Sequence, residues 1–569
     1  MERLKLAVIQ FLLALVLIIY LIGKDKLPVI LFWIIYFLLI FTSYQIILKS
    51  SNKYKIAALF ILVLSMAFIY SIPHFGIHYL TSDDVFEAQF AQTIVETGKF
   101  NPEAGSGFSE EYYGYNPTLH FIMALASYIT GLSCYRLVIF FLILFKITYV
   151  ALFYLIASKL LHRKKDVFIA TFIFISTAGF SFLSVTRRVM AGVFVLLLFF
   201  LLIRSKKPNY IFHYTMFSLV SVLLVMSNYS VSLYFIAFLA GALAFTYILR
   251  FFPGKKEFPK IWPRLIIIAA IFIFWELMFL DIYTGIYGEY LNQIFEFAGN
   301  FSSGTPDIYR WYETFAIYFS QLVFLVVSFS GLTYLFYSKL KNYEWGKNDF
   351  FLLYASIFGL FFYIITALIL PTRWDVAIAF IFWFFQLPLA ILAGHMIGKT
   401  NMKRYGIYFS SAIIIILFAG AMLTGLHNPR YTNRMPDEDI VLGDDIRGKT
   451  PGLLYAAQWV KSHNINYIIA DRDTFEALSG LAGANVNMYS DNVEALYTNN
   501  EIFARPYFEF GQYPHTRKLM KAEYFAINKA FAKHPNNVGN FRLDLSRFDN
   551  NSDLDKVYSN EQIIIYRLK

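Results

Sequence analysis

Hydrophobic positions in this chain are gathered into long runs separated by short polar connectors. Phe11 to Ile22, Leu31 to Leu48 and Ile413 to Leu423 are the plainest of them. With their milder flanks the runs reach about twenty residues, enough helix to cross a hydrocarbon core of roughly 30 Å at about 1.5 Å per residue. They predict spanning helices near 4–22, 27–48, 54–72, 136–158, 167–185, 189–203, 210–226, 230–250, 264–281, 314–337, 350–370, 376–397 and 406–424. The apolar stretch 118–130 is short for a span and suits an interfacial or re-entrant helix.

The polar connectors decide how these helices are threaded. With 118–130 left out of the count, the basic connectors all fall on one side: Lys49/Lys53/Lys55, His162–Lys165, Arg204–Lys207, Arg250–Arg264, Lys339–Lys347 and Lys399–Arg404. Counting it as a span would split them between two faces, against the excess of Lys and Arg on the cytoplasmic side. The expected topology has the N-terminus in the cytoplasm and everything after residue 426 outside. The first run follows Arg3 and Lys5, lacks a small-residue cleavage site and leads quickly into a second span, so it is expected to be a retained anchor. Two outward loops are long, 73–135 and 282–313, and long loops in a compact protein tend to carry function.

Beyond residue 426 the pattern changes. Leu453 to His463 has helical spacing, ending near Asn464, and Thr474–Leu481 reads as another helix. Tyr467–Ala470, Phe525–Asn528, Val557–Tyr558 and Ile563–Tyr566 read as strands. The alternation predicts a small α/β domain with a partly parallel sheet over 427–569. It has no Gly-rich phosphate loop or metal-ligand spacing, and a structural or docking role is expected of it. The fold class expected for the whole is an α-helical polytopic membrane protein, with about thirteen transmembrane helices over 1–426 and this extracytoplasmic domain.

Composition agrees: of 569 residues 58% are hydrophobic, 20% aromatic and only 15% charged, against about 25% charged in soluble domains. The net charge of +11 sits in the connectors, which encodes topology and argues against a nucleic-acid partner. Cys134 is the single cysteine, so no intrachain disulfide can form.

Candidate chemistry is concentrated in the first long loop. Thr81-Ser82-Asp83-Asp84-Val85-Phe86-Glu87 places three carboxylates beside the outer membrane surface. The following residues predict an amphipathic helix, with Phe86, Phe90 and Ile94 on one stripe and Gly98 as its stop. Asp84 and Glu87 have the spacing of a capping box, and Asp83 lies at or before the helix start. These acids can simply cap the helix, whose dipole favours negative charge there. They can equally activate a hydroxyl nucleophile. Next comes Glu110-Glu111-Tyr112-Tyr113-Gly114-Tyr115-Asn116-Pro117-Thr118-Leu119-His120. Its aromatics are interface anchors or stacking platforms for sugars, which makes Glu87, Tyr113, Tyr115, Asn116 and His120 candidate acceptor-site residues.

An acidic pair after an early span, a Thr-Gly-Lys-Phe-Asn-Pro turn at 97–102 and Tyr-Asn-Pro-Thr-Leu-His at 115–120 together resemble the GT-C superfamily of polytopic glycosyltransferases. More narrowly, several stretches resemble a family of predicted archaeal membrane proteins within that group: Phe145-Lys146-Ile147-Thr148-Tyr149, Phe180–Arg188 running into Val189–Leu202, Ser227–Ser232, and in the tail Asp471-Arg472-Asp473 and Lys556–Asn560. The chain departs from the pattern in having two spans ahead of the first one expected. It also has Asn228-Tyr229-Ser230 where His-Tyr-Gly is expected, and no acid after the Arg pair. The resemblance implies transfer of a sugar from a polyprenyl- or dolichyl-phosphate-linked donor to a glycan, lipid or protein acceptor at the outer face, with inversion. It carries the catalytic base over to Asp83 or Asp84.

The anionic donor needs cations at the outer boundary, and Arg187, Arg188 and Arg373 are placed there by the expected topology. Bidentate guanidinium–phosphate pairing would be their role, against snorkelling or pairing with a local acid. Donors with a single lipid phosphate imply no metal and no cofactor. Two other readings stay open: a transporter or flippase, disfavoured by the lack of internal repeats, and an inactive scaffold of a cell-envelope glycan-assembly complex.

Overall fold

In a computed structural model, the described residues are 2–22, 29–71, 82–100, 116–177, 186–203, 210–250, 255–256, 261–278, 311–342, 344–369, 386–400, 406–423, 451–465, 467–470, 478, 485–488, 524–528, 554–560 and 563–568. The chain is an α-helical multi-pass membrane protein. Its helices are α1 (Glu2–Ile22), α2 (Val29–Lys49), α3 (Asn52–Ile69), α4 (Ser82–Thr97), α5 (Thr118–Thr130), α6 (Cys134–Leu160), α7 (Lys164–Ile175) and α8 (Arg187–Ile203). There follow α9 (Tyr210–Val225), α10 (Tyr229–Arg250), α11 (Trp262–Met278), α12 (Trp311–Asn342), α13 (Lys347–Ile369), α14 (Gln386–Thr400), α15 (Gly406–Leu423) and α16 (Pro451–Ser462). Each segment expected to span overlaps one of these. Among the described residues six helices are long and apolar enough to cross a bilayer: α2, α3, α6, α10, α12 and α15.

One continuous apolar core runs through the bundle from Ala14 to Met422. α7 and α14 approach to backbone contact, where the sequence supplies glycines. A Cβ on Gly394 would collide with the backbone of Ala170, and one on Gly398 with the carboxylate of Asp166. Small residues let membrane helices approach to backbone contact, where dispersion has to do what water exclusion does elsewhere. Outward-facing side chains such as Phe60, Leu144, Ile211 and Phe274 are apolar and exposed, as a lipid-facing surface requires.

The basic connectors that lie among the described residues come together at one end of the bundle. Lys55 and Lys165 lie close enough to repel, Lys339 pairs with Asp349 at 2.6 Å, and Asn348 Nδ2 donates to the Lys159 carbonyl at 2.7 Å. Lys399 Nζ stands over the Tyr334 ring, 3.4 Å from its centroid. At the same end a minimal parallel pairing joins β1 (Lys255–Lys256) to β2 (Glu344–Trp345).

After the last bundle helix, α16 packs on a five-stranded sheet with its own small core of Ala456, Ala457, Val460, Ile465, Ile468, Leu478, Ala526, Ile563 and Ile565. The strands are β3 (Tyr467–Ala470), β4 (Asn485–Met488), β5 (Tyr524–Asn528), β6 (Leu554–Ser559) and β7 (Ile563–Leu568), in the order β4-β3-β5-β7-β6. β3 is parallel to β4 and β5, while β7 is antiparallel to β5 and β6, so the sheet is mixed. β4 has no counterpart among the expected strands; Asn485 and Asn487 are poor strand formers, and pairing with β3 overrides them. The helix expected at 474–481 lies outside the described residues except for Leu478.

Candidate active site

Two short helices outside the long spans build the site. α4 begins at Ser82 and ends where Gly98 turns left-handed at φ +67°, its N–H capping the Ile94 carbonyl. α5 runs from Thr118 to the left-handed Gly131, φ +70°. Glycine takes this conformation without the Cβ penalty that other residues pay, which is why both helices stop there.

The two helices are fastened to each other and to the start of α6. Tyr128 Oη on α5 donates to the Val95 carbonyl on α4 at 3.0 Å. The Cys134 N–H of α6 donates to Gln92 Oε1 at 3.1 Å, and Tyr135 Oη reaches Gln89 Oε1 at 3.4 Å. Tyr149, near the middle of α6, donates to the Val189 carbonyl at 2.7 Å, so α8 begins alongside that middle. The start of α8 is therefore recessed from the Cys134 end.

Glu87 is where these elements converge. Its Oε1 accepts from Arg187 Nε at 2.8 Å and from the Arg187 backbone N–H at 3.2 Å. Its Oε2 lies 2.5 Å from His120 Nε2. The side chains are almost fully enclosed, at 1% exposure for Glu87, 0% for His120 and 7% for Arg187. Phe90, one turn on from Glu87, stacks on the His120 ring with centroids 5.0 Å apart and planes 19° from parallel. Burial pushes the Glu87 carboxyl up, but the Arg187 guanidinium and the His120 hydrogen bond outweigh it and hold the group below its usual range. A buried carboxylate with both oxygens engaged and a permanent cation at hand stays ionised.

The capping-box expectation for Glu87 is therefore corrected. Its side chain does not fold back on its own helix start; both oxygens are taken by other elements. Asp83 and Asp84 lie in the first turn of α4, four and three residues before Glu87, on the helical face that residues at those spacings share. Their side chains are outside those described. Arg187 is buried and Arg188, beside it, is partly so. Asn116 is buried next to α5. Tyr113, Tyr115 and Arg373 lie outside the described residues. The pairing of Glu87 with Arg187 joins positions 100 residues apart, which no spacing signals. The available sign was a carboxylate on the apolar face of α4, at i−3 and i−4 from the buried Phe90 and Ala91.

A second buried carboxylate, also unforeseen, sits at the basic end: Asp166, in the first turn of α7, bonds His395 Nδ1 of α14 at 2.9 Å. Among the described residues no three His, Cys, Asp or Glu side chains are grouped to hold a metal ion.

No family model matches the chain, and no curated protein matches it. Solved structures do. One is "Crystal Structure of ArnT from Cupriavidus metallidurans bound to Undecaprenyl phosphate", with 10% sequence identity over 89% of this chain and 97% of that one, at a TM-score of 0.49. A likeness of that degree carries neither a fold assignment nor an activity across to this chain.

Proposed function

We propose that the chain is a membrane glycosyltransferase of the GT-C kind, moving a sugar from a polyprenyl- or dolichyl-phosphate-linked donor to a glycan, lipid or protein acceptor at the outer face. The observation that carries this reading is the Glu87–Arg187 ion pair. The sequence resemblance assigns the base to Asp83 or Asp84 and donor-phosphate contacts to Arg187, Arg188 and Arg373. Glu87 ties the helix bearing those acids to the first residue of α8, so base and phosphate-binding cation sit on fastened elements rather than independent loops.

In this reading the Asp83 or Asp84 carboxylate takes the proton of the acceptor hydroxyl as its oxygen attacks the anomeric carbon. The bond from that carbon to the phosphate oxygen breaks with inversion. The polyprenyl phosphate departs as an anion met by guanidinium groups. The transferred proton stays on the carboxylate until solvent removes it. No metal and no cofactor enters the scheme. The bundle occupies the cell membrane with its N-terminus in the cytoplasm, and residues 427–569 form an extracytoplasmic domain that grips the acceptor or closes the site.

The test is sugar transfer from radiolabelled polyprenyl-phosphate sugars by purified protein in nanodiscs, with Asp83→Asn, Asp84→Asn and Arg373→Ala beside the wild type. One Asp variant should lose transfer by about two to four orders of magnitude, the usual contribution of a positioned base, with the helical circular dichroism unchanged. Transfer unaffected by all three changes removes these site assignments. Binding of the lipid donor without any transfer, across donors and acceptors, replaces the enzyme with an inactive scaffold.

A further inference from the structure

Of the six helices able to cross a bilayer α12 is the least enclosed, with 22% of its apolar window buried against 39–56% in the others. Along its open side runs a groove of about 740 Å³, whose described wall includes Leu322, Val326, Phe329, Ser330 and Thr333 and ends at Tyr334 and Tyr337. The steps of three and four residues keep this wall on one face of the helix. From Leu322 to Tyr334 it runs about 18 Å at about 1.5 Å per residue, close to one hydrocarbon leaflet of about 15 Å. The far face of α12 is the packed one, where a Cβ on Gly331 would strike the backbone of Leu392 on α14.

The groove ends among cations. Lys399 Nζ lies over the Tyr334 ring, 3.4 Å from its centroid, and His395, one turn earlier on α14, is tilted against the same ring at 6.2 Å. Arg163, the N-cap of α7, is near enough to act electrostatically on Tyr334. Lys341 follows Tyr337 by four residues, on the groove face of α12. Two acids at this end are taken: Asp166 bonds His395 and Asp349 bonds Lys339. Among the described residues neither Lys341 nor Lys399 makes an ion pair.

A lysine that only snorkels extends its ammonium into water. Lys399 instead folds back over an aromatic ring at the mouth of an apolar groove, with ammonium N–H groups left to meet an anion. Cations at one end of an apolar groove match an amphiphile with an anionic head, and basic pockets between spans hold lipid headgroups in this way. We propose that this groove binds one anionic phospholipid of the bilayer, its phosphate among Lys399, Lys341 and Arg163 and one acyl chain along α12. The Lys159 end of α6 meets the basic end, and its Cys134 end meets α4, so this 27-residue helix separates the groove from Glu87 by about 40 Å. The bound lipid is therefore a component of the bilayer and not the sugar donor, and the proposal does not depend on the transfer reaction.

Native mass spectrometry of the detergent-purified full chain, titrated with phosphatidylglycerol, reads the affinity for the first lipid. Lys399→Gln and Lys341→Gln should each weaken it about fivefold, the worth of one cation beside an anionic lipid, and the double variant about 25-fold. Lys53→Gln, at an exposed lysine of another basic connector, should leave it unchanged. Ser330→Trp fills the groove without touching a cation and should weaken binding at least as much as one lost lysine. These positions are exposed or half-buried, so the variants should keep the helical circular dichroism of the wild type.

Equal losses in Lys53→Gln and Lys399→Gln would leave only diffuse attraction between a basic surface and anionic lipid, and would overturn the proposal. Phosphatidylcholine bound as tightly as phosphatidylglycerol would overturn it as well, because the headgroup charge would then count for nothing. A polyprenyl phosphate bound more tightly than phosphatidylglycerol, with the same variants sensitive, would give the groove to a lipid carrier and overturn its assignment to a bilayer phospholipid.

Discussion

Glu87 and Asp166 are both buried carboxylates bonded to a histidine, at opposite kinds of site. Glu87 shares its oxygens between a permanent cation and an imidazole, all enclosed. Asp166 pairs with His395, whose side chain is 26% exposed, on helices locked together through Gly394 and Gly398. The first region joins charge and hydrogen bonding to the apolar packing of Ala88, Ala91, Leu119 and Met123. The second is held by backbone-close packing, and its ion pair is an accessory. The difference is that the Glu87 end is built to keep particular polar atoms in place, while the basic end is built to keep two helices in register.

The largest effect should come from breaking the Glu87–Arg187 ion pair on one side only. Arg187→Met leaves Glu87 enclosed without its cation and should destabilise the bundle by about 3–5 kcal/mol, read as a lower melting temperature in nanodiscs. Adding Glu87→Gln to that variant should recover most of the loss, because two uncharged groups no longer conflict. If the double variant is no more stable than the single, the pair does not hold this end of the bundle and the contrast collapses. Next in size is Gly398→Val, which drives a side chain into Asp166 and should cost about 1–3 kcal/mol. His395→Gln at the same interface should cost under about 1 kcal/mol, since its ring is partly in solvent. A reversed order would mean that charge rather than packing secures the basic end.

The smallest effect is on pH dependence. The Glu87 carboxyl titrates below its ordinary value of 4.5 in the folded protein. Its contribution is therefore complete above that value and lost as the pH falls through the lower native one. Between about pH 7 and pH 3 the melting temperature of Glu87→Gln should fall less steeply than that of wild type. Parallel curves would show that the carboxylate gains nothing from Arg187.

Much of this arrangement was legible in the residues themselves. Apolar run lengths near twenty gave the helices of the bundle, because a span must satisfy its own backbone and so declares itself locally. The short pair α4 and α5 was equally plain: Gly98 and the shortness of 118–130 act within a few residues. In the sheet β3, β5 and β7 declared themselves by β-branched and aromatic content, whereas β4, with Asn485 and Asn487, exists only because β3 offers it a partner. The acids of the first loop could be found, but not their assignments. Asp84 and Glu87 have capping-box spacing, and only the fold shows Glu87 turned to Arg187 and His120.

What the sequence determined alone was whatever a segment decides with its neighbours along the chain: where the apolar helices lie and where Gly98 stops α4, though not every extent, since the stretch expected as a span over 167–185 leaves the helix after Ile175. What only the tertiary structure decided was which polar groups meet. Glu87 and Arg187 stand 100 residues apart and Asp166 and His395 229 apart, and neither pair leaves a periodic trace. The physical reason is that a buried charge is tolerated only where the fold brings it a partner, and that partner is chosen by helix packing, not by position in the chain.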